Sequence, residues 1–288
     1  MSARRLVVSG DDFGAAREVN AAIVRAHRDG ILTSTSLMVT GAAADEAVTL
    51  ARENPRLAVG LHLVLVQGRP ASATSDVPGL VTRAGAFGDA PVFSGLRYAW
   101  RYLSETGRAE LEREVEAQLA AFAATGLPLA HVDGHLNMHL HPMVLGILIA
   151  LAPRYGIHAM RVLREDLGAA LRHDRRFLAR KLLEDAVFRV LAAYATPRLR
   201  AAGIRTVDRV YGMHQTGHVD EPYVLALIPR LPVGVSELYC HPSEGRSPAL
   251  APYQPGYDQA AELAALLSPR VRAALRSADV ELVSYRQL

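Results

Sequence analysis

The sequence predicts an α/β fold: a parallel sheet with helices packed outside it. Three observations carry this reading. Short β-type runs alternate with helical patterns along almost the whole chain, as they do where helices form the crossovers of a parallel sheet. About eight strand-like runs recur with no internal repeat, low-complexity tail or interdomain linker, so 1–288 reads as one domain. Half of the 288 residues are hydrophobic and 21% are charged, enough to bury a large core and unlike a disordered chain. At this length a single α/β barrel is as ordinary as two domains.

Taken in order, Arg5–Ser9 reads as a strand, and Ala15–Arg28 as a helix with Val19, Ala22, Ile23 and Ala26 at helical spacing. Thr35–Val39 is a strand, Ala42–Arg52 a helix, and Leu57–Val64 a strand interrupted by Gly60. Residues 66–107 break the alternation. They are rich in Gly, Pro, Ala and Ser, then turn aromatic at Phe93, Tyr98, Trp100 and Tyr102. A stretch this long without regular structure reads as an insertion: a lid or a small satellite core. Arg108–Ala124 is a helix, with Leu111, Val115, Leu119 and Phe122 on one face, followed by a strand at Leu129–Asp133 and a buried helix at Pro142–Arg154. Ala159–Leu163 and Arg205–Tyr211 read as strands either side of a basic helical region, Arg164–Leu199. Pro222–Ile228, Val233–Cys240, Tyr257–Leu267 and Val280–Tyr285 continue helix, strand, helix, strand.

Composition excludes several functions. The formal net charge is only +3, and 31 of the 32 basic residues are arginine, Lys181 being the one lysine. No nucleic-acid-binding module accompanies them, so no nucleic-acid partner is expected. The start, Met-Ser-Ala-Arg-Arg, runs into Gly10-Asp11-Asp12 without the apolar stretch of a signal peptide. The longest apolar run, Met143 to Ala152, is far short of the ~20 residues a spanning helix needs. One cysteine, Cys240, allows no internal disulfide and fits a reducing compartment. A cytoplasmic protein is expected.

Parallel α/β proteins place their chemistry at the carboxyl ends of strands. Four strand ends here carry polar groups: Asp11-Asp12-Phe13-Gly14, Gly60-Leu61-His62, His131-Val132-Asp133-Gly134-His135, and Glu237-Leu238-Tyr239-Cys240-His241-Pro242. Adjacent carboxylates are costly to bury unless a cation or proton compensates them. A divalent metal would do so, one carboxylate ligating and its neighbour free as a base. The same pair could instead cap the helix near Ala15. Four of the eleven histidines lie between 131 and 141, a density that suits metal ligation better than packing. His135, just past the strand, is the best ligand candidate. His131 reads as supporting the ligands from within the strand, and His139 and His141 as capping the helix at Pro142 or touching substrate. An Asp and two His with open positions suit activation of a water, with zinc favoured by nitrogen ligands and magnesium or manganese permitted by the carboxylate. No Walker A loop, dinucleotide fingerprint or nucleophile elbow is present. The alternation of Cys240 with His241 points Cys240 into packing.

Together these motifs resemble the YdjC-like (ChbG-type) carbohydrate deacetylases over nearly the whole chain, including Gly30-Ile31-Leu32-Thr33-Ser34-Thr35. The resemblance implies a single (β/α) barrel-like deacetylase fold, with an inserted region after the third strand, and metal-dependent removal of N-acetyl from amino sugars. Carried over by position, Asp12, His62 and His135 would hold the divalent metal, Asp11 would be the base, and His241 the acid that protonates the leaving amine. Arg161, His139 and Trp100 are candidates for substrate binding. Asn137 stands where many members carry another histidine, so no ligand role is carried over to it. The branch of the family associated with hopanoid biosynthesis is the most similar, through Ser36-Leu37-Met38-Val39-Thr40-Gly41, Val59–Val66 and His139-Leu140-His141-Pro142. That branch implies an N-acetylglucosaminyl hopanoid as substrate and peripheral contact with the inner face of the membrane, through 93–102 or 171–200. The competing reading is another barrel metal hydrolase, an amidohydrolase or phosphoesterase acting on a small soluble substrate. Such enzymes commonly carry His-x-His after the first strand, where this chain has Asp-Asp. A non-catalytic carbohydrate- or lipid-binding module would leave the full Asp11, Asp12, His62, His135 and His241 set unexplained.

Overall fold

The centre of the sheet is β1 (Arg4–Phe13), whose Leu6, Val7 and Val8 are buried in succession because both faces of the strand are covered. The structure, a computed structural model, describes residues 4–88, 90–245 and 250–288. Of the sequence readings, the Met1–Ala3 start and residue 89 of the insertion lie outside the described residues. The first crossover is α1 (Arg17–Asp29), which buries the expected stripe Val19, Ala22, Ile23 and Ala26. β2 (Ser34–Leu37), α2 (Ala44–Glu53) and β3 (Ala58–Leu63) repeat the unit. After the insertion come α3 (Pro91–Arg101), α4 (Glu105–Ala124), β4 (Val132–Gly134), α5 (Pro142–Tyr155), α6 (Leu167–His173) and α7 (Leu178–Ala201). The chain ends with β5 (Arg209–Tyr211), α8 (Glu221–Leu227), β6 (Gly234–Cys240), α9 (Gln259–Leu267), α10 (Pro269–Ser277) and β7 (Val280–Val283).

The described strands pair in parallel, in the order β4-β3-β2-β1-β6-β5. β6 lies along one edge of β1. The other edge is shared: Arg4–Val7 pair with β7, and the second half of the strand with β2. The two ends of this path are joined through an extended segment after α5. Met160 bridges to Val132, Ala159 bridges to Arg205, and the Val210 N–H donates to the Arg164 carbonyl at 3.4 Å. The sheet therefore curls into a barrel-like ring with the helices outside, in line with the expected fold.

Three expectations need correction. The strand read at Ala159–Leu163 is reduced to single bridges, because β4 leaves the sheet after Gly134 and offers only Val132 to pair with. Seven strands result among the described residues. The aromatic end of the insertion is helical: Pro91 opens α3 at a position where its missing N–H costs nothing. Tyr98 is buried there, its hydroxyl donating to the Leu65 carbonyl. Buried groups of α4 tie down the loop before it. Glu114 accepts the N–H groups of Ala71 and Ser72, Glu110 that of Gly79, and Gln118 pairs both ways with Val64. Finally, the basic helical region divides into α6 and α7 at Asp174–Phe177, where Phe177 has φ 56°.

Candidate active site

Adjacent residues of a regular strand point to opposite faces, so Asp11 and Asp12 can share a cleft only if β1 is irregular there. It is. The β1–β2 register shifts between Gly10 and Phe13, and Asp12 has φ 64°, a conformation Asp tolerates better than most residues. Gly14 follows with φ 91°, where an added Cβ would lie 3.0 Å from the Met38 carbonyl oxygen. Asn20 fixes this turn, accepting the Gly14 N–H at 2.8 Å and donating to the Ala43 carbonyl at 3.0 Å. Neither aspartate caps α1, which has no side-chain cap.

β3 and β4 pair His62 with Asp133, and the two side chains meet. The His62 Nδ1 lies 2.8 Å from Asp133 Oδ1 and 3.0 Å from Ser36 Oγ. With Nδ1 engaged by the carboxylate, Nε2 is the ring atom that faces Asp12 Oδ1, at 3.3 Å. Nε2 is buried without a hydrogen-bond partner. Asp133 also takes an ion pair from Arg161 at 2.9 Å and lies 3.4 Å from His131 Nε2. Gly60 makes room for the buried His131 ring, since a Cβ there would sit 2.4 Å from its Nδ1.

The third side chain comes from the tight turn after β4. Leu136 and Asn137 adopt left-handed backbone (φ 49° and 58°), and His135 Nδ1 comes to 3.1 Å from Asp12 Oδ1. The other oxygen of Asp12 accepts from Gln254 Nε2 at 2.7 Å, and Gln254 is itself held by Gln259 at 2.8 Å. One ligand atom from each of Asp12, His62 and His135 lies within 4.8 Å of the others, all three side chains buried. Asp11, His62 and Asp133 form a second such cluster, but there Arg161 already compensates the carboxylates.

Charge tests whether a divalent ion fits. Asp11, Asp12, Asp133 and Glu237 are buried together with one guanidinium, Arg161. Three negative charges are left over, and burying them is costly without a counter-charge. Burial works against the His62 imidazolium, yet the charge of Asp133 and the bonds to Asp12 and Asp133 push it up to about 10. Burial likewise opposes the Asp12 carboxylate, but His135 and His62 hold it well below the usual range. A dication among Asp12, His62 and His135 would take over that compensation, and a carboxylate with two imidazoles suits zinc or magnesium.

Arg161 is fully buried beneath the cleft, with its fork on Asp11 at 2.7 and 2.8 Å, further bonds to Glu237, and its face 4.5 Å from the centre of the Tyr239 ring. Tyr285 donates to Glu237 at 2.5 Å and stacks on His131. Arg161, a candidate for substrate binding, is thus buried against Asp11. His139, the second candidate, is buried too, its Nε2 bonded at 2.9 Å to the Arg161 carbonyl, and burial pushes its imidazole down to about 4. Trp100 stands on α3, 74% exposed.

His241 follows β6 and faces the cleft between the rings of Tyr239 and Tyr257. Asp11, His62, His135, Gln67, Thr216, Tyr253 and Gln254 line it too, with the 134–137 turn. Cys240 turns the other way, buried against the Ser9 carbonyl. Sequence reasoning quoted Asp133 and Glu237 without giving them a role, and missed Ser36, Asn20 and Gln254. Ser36 and Asn20 sit on elements next to the motif; nothing in the Pro-Tyr-Gln-Pro-Gly context of Gln254 marks it.

A family model described as YdjC-like protein matches residues 5–277. The chain is 31% identical over 288 residues to a carbohydrate deacetylase of Geobacillus stearothermophilus, covering 99% of this chain and 98% of that one. A carbohydrate deacetylase of Brevibacillus brevis (strain 47) is 43% identical over 153 residues, 53% of this chain, and the match spans only 57% of that relative. A solved structure from Enterococcus faecalis V583, described as a cellobiose-phosphate cleavage protein, is similar over 99% of both chains, with a TM-score of 0.75 and 27% identity.

Proposed function

The chain belongs to the YdjC-like protein family, and on that premise we propose that it is a metal-dependent N-deacetylase acting on an N-acetylglucosamine-type amino sugar. The observation that carries the reading is the convergence of Asp12, His62 and His135 beside Asp11 and His241 in one cleft. Relatives named carbohydrate deacetylase support it.

Asp12, His62 and His135 would hold a divalent ion, which would supply Lewis acidity toward the acetamide carbonyl and the attacking water. The chain's own groups then divide the proton transfers. Asp11 accepts the proton of the attacking water. The Arg161 fork fixes its direction and leaves each oxygen a second lone pair. His241 donates a proton to the amine nitrogen as the C–N bond breaks, giving acetate and the free amino sugar. Each such transfer contributes about 10²–10⁴-fold. Tyr239, Tyr253 and Tyr257 offer apolar ring faces to the sugar.

The substrate we favour is an N-acetylglucosaminyl hopanoid, converted to its glucosamine form. The similarity of Ser36–Gly41, Val59–Val66 and His139–Pro142 to the hopanoid-associated branch supports it. Among the described residues no helix is long and apolar enough to cross a membrane, so the reading is of a cytoplasmic enzyme meeting the glycolipid at the inner face. The test is acetate release, with zinc or magnesium added, from a chitobiose-type N-acetylated sugar and from the glycolipid, read by the mass loss of one acetyl group. Release from neither, with metal bound, overturns the deacetylase reading. Release from the sugar alone removes the hopanoid.

A further inference from the structure

Two helices beside the cleft turn apolar side chains to solvent. On α3, Val92, Phe93, Leu96 and Trp100 recur at helical spacing and, with Leu103 beyond, are 64–79% exposed. At the start of α7, Phe177, Leu182, Leu183, Val187 and Val190 are 46–69% exposed. Scattered surface hydrophobics need no explanation, but runs of this kind mark an interaction site. Both helices pack against the 135–140 turn that carries His135. His141, which closes that turn, packs against Gly95 in α3, where an added Cβ would lie 3.7 Å from its Cδ2.

We propose that these two helices dock the rim of the cleft onto a lipid bilayer with anionic headgroups. Charge selects this occupant. Five basic side chains stand against one carboxylate between Arg172 and Lys181, and Arg172, Arg175, Arg176 and Arg180 are at the surface; Arg172, Arg176 and Arg180 lie 2.7–3.9 Å from Asp166, Asp174 and Glu184, so the excess of positive charge is modest. A two-fold contact with a second copy would set the same patch against itself and bring those arginines together. An anionic headgroup layer complements them. Phe and Trp beside Arg on a short helix suit the headgroup boundary, where the helix lies flat and inserts only its apolar face. α3, with 11 residues, is too short to span. The surface stands on its own side chains; that it presents a membrane-anchored substrate to the cleft rests on the deacetylase reading.

Trp100 is the only tryptophan, so its fluorescence reports the contact directly. The purified chain is mixed with vesicles of phosphatidylcholine alone or with phosphatidylglycerol. On the anionic vesicles the protein sediments, Trp100 emission shifts to the blue, and brominated lipid quenches it. High salt lowers the bound fraction at least tenfold, because exposed-charge attraction is screened within ~8–10 Å. The double variants Phe93→Ser/Leu96→Ser and Leu183→Ser/Val187→Ser each weaken binding at least tenfold and leave turnover of a soluble N-acetylated sugar unchanged. Absence of binding to either vesicle overturns the proposal. So does binding without quenching of Trp100 or unaffected by both variants, and so does a lipid-free dimer that shields Trp100. Acetate release from the soluble sugar is measured on the same preparation. Vesicle binding without acetate sinks the deacetylase reading alone, and acetate without vesicle binding sinks the docking surface alone.

Discussion

Asp11 and Asp12 are neighbours in the chain and differ in what holds them. Asp12 faces two imidazoles, Asp11 a guanidinium. Asp11→Asn should therefore keep the metal, measured by atomic absorption after desalting, and lose about 10²–10⁴ in turnover. His62→Ala and His135→Ala should lose the metal itself. Equal metal loss in the Asp11 variant would show the two carboxylates to be assigned the wrong way round. Gln254 supplies a subtler test. It pins Asp12 Oδ2 at 2.7 Å and so aims Oδ1 at the histidines. Gln254→Ala should weaken metal affinity about 10–100-fold, the usual cost of losing an outer hydrogen bond to a ligand, read by chelator competition. Unchanged affinity would make Gln254 a packing residue. The contrast between these residues says what a sequence makes legible. Asp12, His62 and His135 could be picked out because each has the right chemistry at a strand end. Arg161 could be picked out as near the site, but not its role, because the three carboxylates around it come from β1, β4 and β6. Gln254 could not, since its bond to Asp12 spans 242 positions and no local pattern encodes such a contact.

At the scale of elements, a close approach between β3 and the residue before β4 holds the ligand side chains. A Cβ at position 60 would lie 2.4 Å from His131 Nδ1, and His131 is sandwiched against Tyr285 with ring centres 3.8 Å apart. Gly60→Ala should cost about 1–3 kcal/mol or more through overpacking and lower metal affinity by displacing Asp133 from His62. Denaturant unfolding that matches the wild type would refute the close approach. A second element-scale test concerns the segment leading to α6. Glu165 is buried, and burial pushes its carboxyl from 4.5 up to about 7, although it accepts the N–H groups of His214 and Gly212 and the Tyr223 hydroxyl. The folded chain then binds the proton more tightly than the unfolded chain. The associated stability is present below about pH 4.5 and lost as pH rises through about 7. The ceiling is about 3 kcal/mol. Buried His139 and His214 titrate with the opposite sign, so the difference between wild type and Glu165→Gln is the quantity to follow. Expected is a variant whose advantage grows between pH 5 and pH 8 in thermal unfolding; a constant difference would sink the idea. Helices α1 and α4 could be read from their apolar spacing because each buries one apolar stripe. α3 could not, because its outward face is apolar too. The strand expected at 159–163 failed because whether it pairs depends on where β4 ends.

For the whole molecule, the ring of strands and the charge it encloses are one problem. The candidate ligands come from the end of β1, from β3 and from the turn after β4, so an ion among them would tie three parts of the ring together. Three buried carboxylates share the Arg161 guanidinium, and Asp12, buried beside them, has no cationic partner but the histidines. The metal-free chain meets the deficit by protonating His62, whose imidazole is pushed up to about 10 against the cost of burial. A dication held by the folded state alone removes that strain and stabilises the fold by mass action, about 2.7 kcal/mol when free metal is one hundred times its dissociation constant. For a chain of this size that amounts to roughly 5–10 °C in melting temperature. Differential scanning calorimetry with a chelator, then with increasing zinc or magnesium, should show the melting temperature climbing with the logarithm of free metal. His135→Ala should show no such climb, while Asp11→Asn should climb like the wild type because its carboxylate is not a ligand. A melting temperature indifferent to metal in the wild type would mean that the enclosed charge is balanced by protons alone, and the reading of Asp12, His62 and His135 as a metal site would fall with it.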